Sequence, residues 1–150
     1  MEKEKQVKIA LIEDHEGLRI SLQNFFEYCN FTVVLTAANG QLAIDSLQTG
    51  QSVPDICILD INMPVMDGFQ TAKVLAERYP EIRILVFSSL DNKRSITEML
   101  SLGVRGYILK GSASEKLRTA VLKLYKGGYY FSETVSSTAL SYLEENRNLL

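Results

Sequence analysis

Ile56, Cys57, Ile58 and Leu59 form an unbroken apolar run directly followed by Asp60. A run this short suits a strand covered on both faces, as strands are in a parallel sheet flanked by helices. In such folds the chemistry lies in the crevice beyond the carboxyl ends of the strands, which is where Asp60 stands. The chain must then turn. Pro64 removes a backbone donor and steers Met63 away from helical geometry, and Asp67-Gly68 reads as an Asx-type turn opening a helix. Asp60 is therefore expected on a short, rigid loop.

The flanking sequence repeats the same alternation. Val7 to Ile12 reads as a strand, followed by a helix with Leu18, Leu22, Phe25, Phe26 and Cys29 on one face. Phe31 to Ala37 is a second strand, broken at Asn39-Gly40, with a helix carrying Leu42, Ala43, Ile44 and Leu47. Strand Asp55 to Asp60 precedes a helix that stops before Pro80. Ile82 to Phe87 is the fourth strand, and Asp91 can cap a helix through Ile96, Met99 and Leu100. Tyr107 to Leu109 is the fifth, before a helix with Leu117, Val121 and Leu124 that Gly127-Gly128 closes.

Five strand-helix units predict an α/β doubly wound, flavodoxin-like fold. Its five-stranded parallel sheet has helices on both faces, with 2-1-3-4-5 among the common strand orders. The 150 residues, 46% of them hydrophobic, suffice for one such core. The expected division is a unit over residues 1–128 and a helical tail or linker over 129–150. Within that tail Val135, Ala139, Tyr142 and Leu143 make one apolar stripe, which must pack on the main unit, pair with a second chain or fray.

Charge narrows the function classes. Sixteen Lys+Arg against eighteen Asp+Glu leave a formal net charge of −2 without a basic run, so composition carries no nucleic-acid or anionic-membrane footprint. No apolar stretch approaches the ~20 residues of a membrane span, and the charged start MEKEKQ is no signal peptide, so a cytoplasmic location is expected. Cys29 and Cys57 have neither disulfide-framework nor metal spacing and read as packing residues. The single histidine, His15, argues against a histidine-rich metal site.

On this frame Glu13 and Asp14 follow the first strand, Asp60 the third, Ser88 and Ser89 the fourth and Lys110 the fifth, all at one edge. Three carboxylates converging there would raise one another's pKa unless a cation lies among them, and an all-oxygen donor set suits a hard divalent ion.

The segments IEDH (Ile12 to His15), ILDINMPVMDG (Ile58 to Gly68), VFSS (Val86 to Ser89) and GYILK (Gly106 to Lys110) resemble the receiver domain of bacterial two-component response regulators. The resemblance covers roughly Val7 to Gly128. GGYYFS at Gly127 to Ser132, and a Lys110 with no proline after it, resemble the NarL/FixJ (LuxR-type) class, whose output is usually a helix-turn-helix.

This resemblance implies a switch phosphorylated on Asp60 by a sensor histidine kinase or phosphotransfer protein. Mg²⁺ would be held by Asp14, Asp60 and the Asn62 main-chain carbonyl, with Glu13 acting through water. Lys110 and Ser88 would contact the phosphoryl group, and Tyr107 would turn inward with Ser88. Such a domain catalyses only its own phosphorylation and dephosphorylation. Gly111 departs from the pattern in which proline follows the lysine, as does Glu13 where aspartate is frequent. A phosphorylation-independent interaction module is the alternative. A haloacid dehalogenase-type phosphatase would need an acid two residues after its nucleophile, where this chain has Asn62, which cannot transfer a proton.

After Gly128 the only basic residue is Arg147, so this chain alone is expected to bind no DNA, whether or not a helix-turn-helix follows in the full protein. A weak homodimer through the tail is a further expectation. So is a readout face over Asp91 to Leu109.

Overall fold

A computed structural model describes residues 6–50 and 52–147. Strands and helices alternate: β1 (Lys8–Ile12), α1 (Glu16–Tyr28), β2 (Thr32–Ala37), α2 (Gly40–Gln48), β3 (Ile56–Leu59), α3 (Gly68–Arg78), β4 (Arg83–Ser88), α4 (Lys93–Ser101), β5 (Gly106–Leu109), α5 (Ser114–Tyr125), β6 (Tyr130–Phe131) and α6 (Glu133–Glu145). All neighbouring strands pair in parallel, in the order β2-β1-β3-β4-β5-β6. The expected order therefore holds, but the sheet has six strands and not five. The sixth is only two residues long, Gly106 opposite Tyr130 and Tyr107 opposite Phe131, too short for any alternation to announce it.

Alternation along each buried strand sorts its side chains between two cores. Ile56 and Ile58 face α1 and α5, joining Leu22, Phe26, Leu117 and Val121. Cys57 and Leu59 face the other layer with Ala43, Leu75, Ile96 and Met99. Ile58 and Leu59 are essentially fully buried, each contributing about 1.5–3 kcal/mol over the exposed state. The helices thus cover both faces of the sheet, as the apolar run before Asp60 requires. Cys57 lies in the core, where burial pushes its thiol up to about 12, so it packs as a small hydrophobe.

Caps set the helix starts. Asn39 Oδ1 accepts from Leu42 N at α2. At α3, Asp67 and Gln70 form a reciprocal capping box. Helix α4 is capped by Asn92, whose side chain accepts from Ser95 N at 2.8 Å, and not by the neighbouring Asp91. Both residue types cap well, and the chain enters the helix one residue later than expected.

The tail stripe finds its cover inside the chain. Val135 and Ala139 are fully buried in the layer that holds Met99 and Leu100, with Tyr142 and Leu143 packed against its rim. That is the first of the three outcomes open to the stripe, and it leaves this face unavailable for pairing with a second copy. The outer ends of the expected domains, residues 1–5 and 148–150, lie outside the described residues. Among the described residues no helix is long and apolar enough to cross a membrane.

Candidate functional site

The parallel ladder carries each strand's last residues to one edge and hydrogen-bonds them there. Asp60 N donates to Ile12 O at 3.0 Å, Glu13 N to Ala37 O at 3.0 Å and Lys110 N to Ser88 O at 2.9 Å. Asp60 follows β3 with only 5% exposure, and its Oδ1 accepts from Ile61 N at 2.8 Å. Behind it, Gly68 N donates to Ile61 O at 2.7 Å. A Cβ on Gly68 would lie 2.4 Å from Asp60 O and 2.6 Å from Ile61 Cα, so α3 can start this close to the loop only without a side chain there. Between them Val65 takes φ +69°, and Met66 N donates to Pro64 O at 2.7 Å, a tight three-residue turn.

Three carboxylates converge as expected: one oxygen each from Glu13, Asp14 and Asp60 lies within 4.8 Å of the others. Glu13 and Asp60 are buried and Asp14 is exposed. Lys110 reaches into this group, its Nζ 2.8 Å from Glu13 Oε1 and 3.3 Å from Asp60 Oδ1. Burial, then the Glu13 charge, pushes Asp60 up to about 7, against the lowering effect of Lys110. Burial alone would lower the Lys110 ammonium, but its bonds and attraction to Glu13 and Asp60 outweigh that and raise it. Excess negative charge at the edge and an all-oxygen donor set fit a hard divalent cation. The cluster could hold a metal.

The remaining expected site residues lie on or beside β4, on β5 and on the loop after Asp60. Ser88 ends β4, buried, and its Oγ accepts from Leu90 N at 3.1 Å; Ser89 beside it is exposed. Tyr107 is wholly buried on β5 and points inward: its hydroxyl donates to Leu90 O at 2.6 Å, and burial pushes its pKa up to about 12. Leu90 thus links Ser88 and Tyr107. Asn62 is exposed on the loop after Asp60. No peptide bond among the described residues is cis, and Gly111 follows Lys110 at φ +96°, a left-handed turn that needs glycine where a proline was absent.

Two further residues at this edge hold the acidic loop in place. Arg19 of α1 donates from Nη1 to Glu13 O at 2.7 Å, pinning the acidic loop. His15 caps α1 through Nδ1, which accepts from Leu18 N, while His15 N donates to Glu13 Oε2. A helix cap could be suspected from His15's position, but no motif marks the reach of Arg19 back to a carbonyl six residues earlier.

Solved structures share the architecture. A LuxR-family two-component response regulator from Aurantimonas sp. superposes with a TM-score of 0.83 at 22% identity, covering 91% of this chain and 97% of that one. The isolated receiver domain of RcsB from Salmonella enterica serovar Typhimurium, determined with a beryllofluoride phosphomimetic, gives 0.80 at 23% identity, covering 89% and 99%. These likenesses concern the fold.

In sequence the chain is 31% identical over 134 residues to the transcriptional regulatory protein DegU of Brevibacillus brevis, covering 89% of this chain and 56% of that protein. It is 29% identical over 144 residues to the oxygen regulatory protein NreC of Staphylococcus aureus, covering 95% and 65%. The chain therefore spans less than two thirds of the length of either relative. The profile of the response regulator receiver domain matches residues 9–122, which is most of the described sheet and its helices. By that match the chain belongs to the response regulator receiver domain family.

Proposed function

We propose that this chain is a phosphorylation-activated switch with Asp60 as its phosphoacceptor. The observation that carries the reading is the position of Lys110 Nζ, 3.3 Å from Asp60 Oδ1 at an edge where Glu13 and Asp14 also converge. A nucleophilic carboxylate beside a fixed cation and a divalent-ion site is what phosphoryl transfer to an aspartate needs, since positioning and charge supply most of the catalysis.

In the step itself an Asp60 oxygen attacks the phosphorus of a phosphohistidine on a sensor histidine kinase or phosphotransfer protein. The new P–O bond forms as the P–N bond breaks, and the imidazole leaves with the bonding pair and takes a proton from solvent. Mg²⁺ would be held by Asp14, Asp60 and the Asn62 main-chain carbonyl, with Glu13 acting through water; when bound it supplies positive charge to the phosphoryl oxygens. Lys110 neutralises the same oxygens from the β5 side and Ser88 donates to one of them. The domain catalyses its own phosphorylation and dephosphorylation and no other reaction.

The likeness to the transcriptional regulatory protein DegU supports transcription as the output, and the GGYYFS segment supports the NarL/FixJ class. The receiver unit over residues 1–128 then signals through the tail over 129–150 in the cytoplasm. The test is incubation with Mg²⁺ and acetyl phosphate followed by intact-mass measurement. One phosphoryl group is expected on the native chain and none after chelation of the metal or in Asp14→Ala. Equal labelling with and without metal refutes the reading.

A further inference from the structure

The end of β5 is held from outside by a residue beyond the expected boundary of the receiver. β6 joins β5 through Tyr130 N to Arg105 O at 3.1 Å and Ser132 N to Tyr107 O at 3.0 Å. If this parallel ladder ran on, the next free β5 amide, that of Leu109, would donate to the Ser132 carbonyl. That carbonyl is already engaged by the first turn of α6, accepting from Val135 N at 2.9 Å and Ser136 N at 2.8 Å. The Ser132 hydroxyl takes its place and accepts from Leu109 N at 2.9 Å.

This use of the hydroxyl displaces another. Ser132 occupies the N-cap position of α6, where a serine oxygen ordinarily accepts from an amide of its own helix, and here it makes no such bond. The side chain is buried and serves the strand end. Leu109 directly precedes Lys110, whose own amide donates the other way, to Ser88 O on β4. Two successive amides are thus tied to opposite neighbours, and they fix the point from which Lys110 reaches Glu13 and Asp60.

We propose that Ser132 is a positioning residue for phosphoryl transfer, holding the Leu109–Lys110 end of β5 so that the Lys110 ammonium is presented to Asp60. The inference rests on the reading of Asp60 and Lys110 given above. It also makes the seating of α6 and the placement of Lys110 share one residue, so a change at either is felt at the other.

The experiment is a double-mutant cycle on the rate of phosphorylation by acetyl phosphate at saturating Mg²⁺, followed long enough for slow variants to yield a rate. Ser132→Ala removes one hydroxyl without adding volume. It is expected to slow the reaction on the order of threefold to tenfold, short of the ~100-fold that a 1 Å misplacement can cost. Ser132→Thr, which keeps the acceptor, is expected to recover most of the rate. In the Lys110→Ala background Ser132→Ala should have no further effect, because the two residues act through one group. An unchanged rate in Ser132→Ala, a Thr variant as slow as the Ala variant, or the same factor in both backgrounds overturns the proposal. If Lys110→Ala reacts at the native rate, the reading of Lys110 fails and this proposal with it. A slow Lys110→Ala beside a native-rate Ser132→Ala leaves that reading standing and removes Ser132 alone.

Discussion

Lys110 lies nearer to Glu13 than to Asp60, its ammonium 2.8 Å from Glu13 Oε1 and 3.3 Å from Asp60 Oδ1. Both carboxylates are almost wholly buried, and the lysine is the positive group set between them. Removing it leaves two buried acids facing each other. Lys110→Met should therefore lower stability by about 1–3 kcal/mol near pH 8 in chelator, below the ~3–5 kcal/mol of a fully buried pair because the lysine side chain is 24% exposed. At acid pH, where Asp60 takes a proton instead, the loss should shrink. Urea unfolding of both chains at the two pH values measures it.

Asp60 makes a separate claim about pH. Its folded value is raised from the ordinary 3.8 to about 7, chiefly by burial. Between those values the folded chain keeps a proton that the unfolded chain has lost. The associated stability is fully present below pH 3.8 and is lost as the pH rises through about 7. Metal-free protein should show a melting temperature that falls across this window, and Asp60→Asn should flatten that fall. A native profile that rises across the window would contradict the assignment.

Gly68 ties the backbone of the site to α3. A methyl group there would meet Asp60 O at 2.4 Å and Ile61 Cα at 2.6 Å, both backbone atoms that can move only by shifting the loop. Gly68→Ala should cost about 1–3 kcal/mol as an overpacked contact and should slow phosphorylation as well. Urea midpoints and intact-mass time courses on the same preparation separate the two effects.

How far these features could be read beforehand differs from residue to residue. The ICIL run, the Asp67 cap and the Lys110 strand end each depend on local pattern, and local pattern survives folding unchanged. Glu13 does not. The resemblance assigns it a water-mediated metal contact, but its pairing with Lys110 joins the residues that follow β1 and β5, which only the folded sheet brings together. β6 has no signature because two half-buried aromatics have no period, and sequence alone does not choose between Asp91 and Asn92 because both residue types make good caps. The Ser132 hydroxyl reads as a helix cap in any sequence window; its bond to Leu109 N exists only because β6 runs beside β5.

The readout face expected over Asp91 to Leu109 is partly covered by α6, whose Val135 and Ala139 pack in the layer with Met99 and Leu100. A ligand shifts an equilibrium only through contacts made in one state, and Leu90 connects Ser88 to Tyr107 beneath this face. Beryllofluoride with Mg²⁺ should therefore move amide resonances across residues 91–109 and on into α6. Tyr107→Phe, which loses the bond to Leu90 O, should reduce the response in α6. Shifts confined to residues beside Asp60 would mean that the site fills without switching.

The central claim is that Asp60 receives the phosphoryl group, and chemical trapping tests it most directly. Borohydride reduces an aspartyl phosphate to homoserine, so the phosphorylated chain is reduced, digested and mapped by peptide mass. The account predicts conversion at Asp60 alone, dependent on Mg²⁺ and absent without phosphorylation. Conversion at Asp14, Asp67 or any other carboxylate, with Asp60 intact, would contradict it.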